Sequence, residues 1–203
     1  MNEPSETIRF YNDHVDEYVD STVNMDMKAL YTPFLQLLPK GGCILDAGCG
    51  SGRDTKTFLE QGYQVTAIDG SEKMVDAASR LTRQPVRQLF LQELDFQNVF
   101  DGVWSCASVL HVPRGEIDDV LDRFARALQL NGVCYLSFKE GDGERWQDGR
   151  HFTDFTASSI EVCLGAHRNL AIVRIWTTAD VRPGRTERWV NALVRKVKAG
   201  GEK

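Results

Sequence analysis

The stretch ILDAGCGSGRD, residues 44–54, decides how this 203-residue chain is read. It opens as a short apolar run. Glycines then fall at alternate positions, Gly48, Gly50 and Gly52, with Asp46 before them and Arg53 after. Glycines just past a strand let the backbone turn tightly and approach a ligand with no Cβ in the way. The spacing is not the G-x-G-x-x-G of a dinucleotide site, because Arg53 stands where the third glycine belongs. No G-x-x-x-x-G-K-[ST] run exists either, so both phosphate-cradle readings are weak. Asp69 lies 19 residues beyond Gly50, at the end of the next strand candidate, YQVTAIDGS. A carboxylate there suits a ribose, since it can accept from two hydroxyls at once.

Outward from this stretch, short strands and helices alternate. CILDAG is a buried strand, RDTKTFLEQG a helix ending at Gly62, and EKMVDAASRL another helix. PVRQLFL and FDGVWSCASVL read as strands. RGEIDDVLDRFARALQLNG is the clearest helix. Ile117, Val120, Leu121, Phe124 and Leu128 form its inner stripe, and Asn131-Gly132 is the expected stop. VCYLSFKE, NLAIVRIWTT and RTERWVNALVRKV are further strand candidates, with ASSIEVCLGAHR a helix between the first two. Trp104, Trp176 and Trp189 read as core residues on strands. Upstream, ETIRFYNDHVDEYVDST reads as one amphipathic helix and MKALYTPFLQLLPKGG as a second, giving a helical cap over 1–40. The polar, glycine-bearing GDGERWQDGRHFTDFT reads as a loop. Its length makes 140–156 a candidate lid on the acceptor side. The whole predicts a single α/β domain over 1–203: a doubly wound, mostly parallel seven-stranded sheet with helices on both faces and the last strand antiparallel. In such sheets ligands sit beyond the carboxyl ends of the strands, where the glycine run falls.

A net charge of −5 argues against broad nucleic-acid binding, which needs a basic surface. The five cysteines are odd in number and lack C-x-x-C spacing. Reduced, mostly buried thiols are expected, with no metal site. No apolar run reaches the ~18 residues of a membrane span, and MNEPSETIRF has no apolar signal core. The expectation is a cytoplasmic protein with no membrane or nucleic-acid partner, a monomer or homodimer.

ILDAGCGSG with VTAIDGSEKM after it resembles the first two motifs of class I S-adenosylmethionine-dependent methyltransferases. FDGVWSCASVLHVP resembles the family's fourth strand and the segment after it, and LQLNGVCYLSF its fifth strand, with Leu130-Asn131-Gly132 in place of Pro-Gly-Gly. The compact form and the Gly-Arg after the glycines are similar to the small-molecule branch that includes tellurite-resistance-type enzymes. The resemblance implies S-adenosylmethionine as cofactor, a Rossmann-like fold, and a role for each matching position. Asp46 would orient the loop and reach the methionine ammonium. Gly48 and Gly50 would lie against the methionine moiety, with Cys49 and Gly52 also at the cofactor. Asp69 would take the ribose hydroxyls, and Gly70 and Met74 would edge the adenine. Cys106 and Ala107 would lend backbone, and Arg53 would pair with the cofactor carboxylate. Family members often hold the adenine amino group with an acid in the third motif; here Phe90 stands in its place, leaving Leu91 and Gln92 to contact the ring.

Each role has a plainer alternative. Asp69 could be a turn acid, Asp46 a cap for loop amides, and Arg53 a helix-start surface arginine. His111 is a structural histidine or a general base. Tyr11 and Tyr18 are core contacts or close over the cofactor, and Trp146, His151 and Phe152 line an acceptor pocket or pin a loop. SCAS after the fourth strand departs from the acid-or-Asn, Pro-Pro-aromatic pattern of base N-methylation, so a small-molecule acceptor with an O-, S- or chalcogen nucleophile is expected. The rivals are a protein that binds S-adenosylmethionine without catalysis and, less favoured, a nicotinamide-dependent oxidoreductase.

Overall fold

The computed structural model describes residues 5–182 and 184–198. Three short helices lead: α1 (Glu6–Asp13), α2 (Val15–Thr22) and α3 (Lys28–Leu35). The expected single first helix is broken at His14, whose φ of −117° leaves the helical region and whose ring turns back to bond the Phe10 carbonyl at 2.9 Å. Next come β1 (Cys43–Ala47), α4 (Arg53–Glu60), β2 (Gln64–Asp69), α5 (Glu72–Thr82), β3 (Arg87–Gln88), β4 (Phe100–Ser105), α6 (Ile117–Ala127) and β5 (Leu128–Lys139). The chain continues through β6 (Gly143–Gln147), β7 (Arg150–Asp154), α7 (Ala157–Gly165), β8 (Leu170–Ala179) and β9 (Arg188–Lys196).

Seven strands make one sheet in the order β3-β2-β1-β4-β5-β9-β8. The first five pair in parallel, and β9 runs antiparallel between β5 and β8. The strand order reverses between β1 and β4, so a crevice opens at their carboxyl ends. Parallel strands need cover on both faces, and successive residues supply it. Leu45, Val103 and Leu136 join the core shared with Ile117, Val120 and Phe124 of α6. Their neighbours Ile44, Trp104 and Tyr135 join Leu30, Tyr31 and Phe34 of α3 and Phe58 of α4 on the other face.

Several expectations need correction. The segment read as a loop over 140–156 is an antiparallel hairpin, β6 on β7. Its turn, Asp148-Gly149, holds positive φ at both residues, the backbone twist that two-residue hairpins favour. PVRQLFL yields only the two-residue β3, with a 3₁₀ turn after it at Leu91–Glu93. Asn131-Gly132 does not close α6, which ends at Ala127. It lies in a bulge of β5, between the pairings Phe100 with Leu128 and Gly102 with Val133. Trp104 is fully buried, whereas Trp176 and Trp189 are half-buried near the sheet edge. Of the five free cysteines, Cys49 and Cys134 are buried and Cys43, Cys106 and Cys163 are half-buried.

Behind the glycine loop, Asp54 ties three elements together. It accepts from Arg53 Nε at 2.6 Å, from the Tyr31 hydroxyl of α3 at 2.6 Å and from the Trp104 indole of β4 at 2.8 Å. The Arg53 charge and these donors hold its carboxyl below the usual range, against the opposing effect of burial. Removing one member of a buried pair leaves the other charge uncompensated. Asp54→Asn is therefore expected to lower unfolding free energy by about 3 to 5 kcal/mol, read from the shift in urea midpoint.

Candidate active site

A crevice of about 130 Å³ lies at the switch point. Its floor is the glycine loop. Gly48 has φ +85°, and a Cβ there would collide with Ser108 Oγ. Gly50 has φ +52°, and a Cβ there would lie 3.2 Å from the Tyr18 ring. Neither position can carry a side chain without moving the opposite wall. Asp69, at the end of β2, holds the loop from the side. One oxygen accepts from Gly50 N–H at 2.9 Å and the other from Ser71 N–H at 2.9 Å. Burial raises its carboxyl pKa, and those amides oppose the rise.

Of the residues expected at the cofactor, Gly48, Gly50, Asp69, Gly70, Met74, Leu91, Gln92 and Ala107 line this crevice. Asp46, Cys49, Gly52, Arg53 and Cys106 sit behind its wall. Asp46 is buried and accepts from Thr55 Oγ1 at 2.5 Å; burial, then the neighbouring Asp54, push its carboxyl pKa up. Cys49 packs with Ala67, Ala78 and Val86. Gly52 faces Ala78 of α5. Arg53 grips Asp54 through Nε and Nη2. Burial raises the Cys106 thiol to about 12.

The sequence reading overlooked part of the wall. Ile8 and Phe90 close around Gly70, where a Cβ would meet both at about 3 Å. Phe90, standing at the family's acidic position, thus lines the crevice as an apolar ring, while Gln92 donates its amide to Glu116 at 3.0 Å. Asn12 accepts from Ser71 Oγ at 2.7 Å and fastens α1 over the start of α5. Ser108 and the left-handed Ala107 (φ 53°) form the turn after β4, with Ala107 N–H donating to Ser137 Oγ at 2.8 Å. A small residue beside the fourth strand's end was the only sequence signal for Ser108.

Tyr11, Tyr18 and His111 complete the lining, with the Tyr18 ring facing Gly50 of the floor. His111 Nδ1 lies 2.6 Å from the His151 carbonyl and Nε2 lies 2.8 Å from the Tyr11 hydroxyl. Phe152 packs under the His111 ring, with centroids 4.9 Å apart, so β7 supports the site from behind. His151 contributes its backbone; its ring turns to Glu144. Trp146 is 59% exposed on the hairpin and is not brought to the crevice. Burial lowers the His111 pKa to about 4 from 6.5, partly opposed by the His151 carbonyl.

A family described as a methyltransferase domain matches residues 44–132. The chain overlays, with a TM-score of 0.77 and 26% identity, on the 1,6-didemethyltoxoflavin-N1-methyltransferase of Burkholderia thailandensis, crystallised with that compound and S-adenosylhomocysteine; the match covers 94% of this chain and 85% of that one. Residues 44–132 thus carry a methyltransferase domain, and the fold around them is that of class I S-adenosylmethionine-dependent methyltransferases. YqeM of Bacillus subtilis, named as a putative methyltransferase, is 34% identical over 114 residues, 50% of this chain and 46% of YqeM. The chain spans less than half the length of the curated relatives it matches first. The fold is also that of SpnF, described as a [4+2]-cyclase, at a TM-score of 0.76 and 15% identity, covering 96% of this chain and 97% of SpnF. Among the described residues no helix is long and apolar enough to cross a membrane.

His111 is neutral in the fold down to low pH, whereas an unfolded chain protonates it below 6.5. Its contribution to stability is therefore present above 6.5 and is lost as pH falls toward 4. His111→Gln should remove that part of the slope when urea unfolding is compared at about pH 5 and about pH 7.5.

Proposed function

We propose that this protein binds S-adenosylmethionine in the crevice and transfers its methyl group to a small-molecule acceptor with an oxygen, sulfur or chalcogen nucleophile. The observation that carries the reading is one wall bearing two different recognition surfaces. Gly48 and Gly50 present bare backbone, and Asp69 presents a carboxylate beside them. Ile8, Met74, Phe90 and Leu91 present apolar surface a few residues away. That donor set fits a nucleoside with a polar sugar and a flat ring. Asp69 accepts from the Gly50, Ser71 and Gly70 amides, and a carboxylate's roughly four acceptor sites leave room for a hydroxyl. Met74 and Phe90 offer the soft and aromatic faces that suit a purine.

When bound, the sulfonium supplies an already activated methyl group, so the chemistry asks little of the protein beyond placement and electrostatics. Tyr11, Tyr18 and His111 border the place for the acceptor, with the two tyrosine rings packed edge to face at 5.3 Å between centroids. The acidic net charge favours a small acceptor over nucleic acid. Five free cysteines fit a reducing compartment, and we assign the activity to the cytoplasm.

Titration calorimetry is expected to show S-adenosylmethionine and S-adenosylhomocysteine binding, with NADH silent; NADH binding alone would reverse the assignment. Asp69→Ala should weaken S-adenosylhomocysteine by about 1.5 to 3 kcal/mol, the range of charge-assisted hydrogen bonds, in protein shown by circular dichroism to remain folded. Assay of released S-adenosylhomocysteine across phenols, thiols, carboxylates and chalcogen oxyanions should find an acceptor. Binding without release across that panel would return the non-catalytic reading.

A further inference from the structure

We infer that Tyr11 and His111 form a proton relay that deprotonates a protic acceptor, with the Tyr11 hydroxyl as the point of contact and His111 Nε2 as the terminal base. This rests on the methyl-transfer reading above and specifies its acceptor: a hydroxyl of phenol or enol type, which keeps its proton until transfer. Thiolates and chalcogen oxyanions arrive already ionised and need no such device.

Hydrogen-bond valence assigns the direction of the relay. A carbonyl can only accept, so the 2.6 Å contact to the His151 carbonyl places the ring proton on Nδ1. Nε2 is then the lone-pair nitrogen, and the Tyr11 hydroxyl at 2.8 Å must donate to it. Both ring nitrogens are occupied, so an acceptor proton cannot reach His111 directly. Tyr11 lines the same crevice, and beyond the lone pair that accepts from Arg150 its oxygen keeps one to receive that proton.

Arg150 completes the arrangement as a positioning residue. Its guanidinium stacks 4.2 Å from the Phe10 ring centroid, and its buried Nε has no hydrogen-bond partner among the described residues. Burial raises the Tyr11 pKa, and the charge and hydrogen bond of Arg150 are the largest influences opposing that rise. Arg150 therefore favours negative charge on the Tyr11 oxygen while its proton moves.

The groups facing His111 are Tyr11 from α1, Arg150 and His151 from β7, and Lys139 from β5. Burial first, then the Arg150 and Lys139 charges, oppose an imidazolium, so the resting ring is a weak base. Methyl transfer changes that balance. The acceptor's lone pair forms the bond to carbon, and the electron pair of the broken carbon–sulfur bond stays on sulfur. The acceptor proton passes to Tyr11 Oη as the Tyr11 proton passes to His111 Nε2. One positive charge leaves the sulfur as one arrives on the ring, so the site's total charge is unchanged.

The test begins with nitrogen-15-histidine NMR of the S-adenosylhomocysteine complex. The proton should sit on His111 Nδ1 at neutral pH, and Tyr11→Phe should raise the apparent pKa of His111 by removing the donor that stabilises the neutral ring. A proton on Nε2 overturns the relay whatever the turnover data. The second readout is the ratio of rates on a phenol and on the thiophenol of matched ring substitution. Tyr11→Phe and His111→Gln should each lower that ratio about 100-fold, the double variant no further, with affinity for S-adenosylhomocysteine within about threefold of wild type. Equal losses on both acceptors would make the pair a clamp for α1 and overturn the relay. Absence of S-adenosylhomocysteine binding by the wild type would instead sink the methyl-transfer reading itself.

Discussion

The carboxylate of Asp69 is the constraint on which the site depends. Its two oxygens hold the amides of Gly50 and Ser71, so the loop after β1 and the start of α5 are fixed to one side chain at the end of β2. Ser71 in turn caps α5 by accepting from Met74 N–H at 3.2 Å and donates to Asn12 of α1. A single group therefore sets the distance between the glycine backbone, the apolar wall at Met74 and the helix that covers them. A carboxylate with lone pairs left over is also the group best suited to grip a sugar. In this site the structural and recognition readings of Asp69 are compatible, because amides and hydroxyls can share its oxygens.

The wall behind the loop explains why Asp46 and Arg53, both expected at the cofactor, are engaged away from the crevice. Asp46, Arg53 and Asp54 are charged or chargeable groups at the sheet switch point, where burial is expensive without partners. Arg53 meets Asp54 through two nitrogens, Asp54 gathers Tyr31 and Trp104, and Asp46 accepts from Thr55. Arg53 is thereby committed to the scaffold, and the glycine loop before it is held against β4 and α3 with little freedom. Rigidity of this kind costs less ordering when a ligand arrives.

How much of this was legible depended on whether the signal was local. The alternation of strands and helices and the pairing of the glycine run with Asp69 come from apolar runs and spacing along the chain. So does the inner stripe of α6. The hairpin β6–β7 was legible too, through Asp148-Gly149, but its flanking residues are polar and do not alternate cleanly, so loop composition prevailed. Phe90 shows the limit of motif reasoning. Its place at the family's acidic position identified what was missing, while the use of its ring beside Ile8 depends on how α1 crosses the sheet. The Tyr11–His111 contact joins residues 100 positions apart. No periodicity reports such a pair, and only the fold brings it together.

The short helix α1 links two parts of the crevice lining. Ile8 forms part of the apolar wall at Gly70, and Tyr11, three residues on, meets His111. Positions three apart lie on one face of a helix, so both side chains enter the crevice together. Asn12 and Thr7 anchor the same helix, the first to Ser71 of α5 and the second to the backbone of His151 at 3.0 Å. Displacing α1 would therefore open the apolar wall and separate Tyr11 from His111 in one motion. A helix of eight residues is marginal by itself, so its position is set by these tertiary contacts and not by its own propensity. In the proposed reaction, a ligand that packs against Ile8 would add to them and hold the Tyr11 hydroxyl on the His111 nitrogen. Filling of the cofactor site would thus order the place for the acceptor before any acceptor enters.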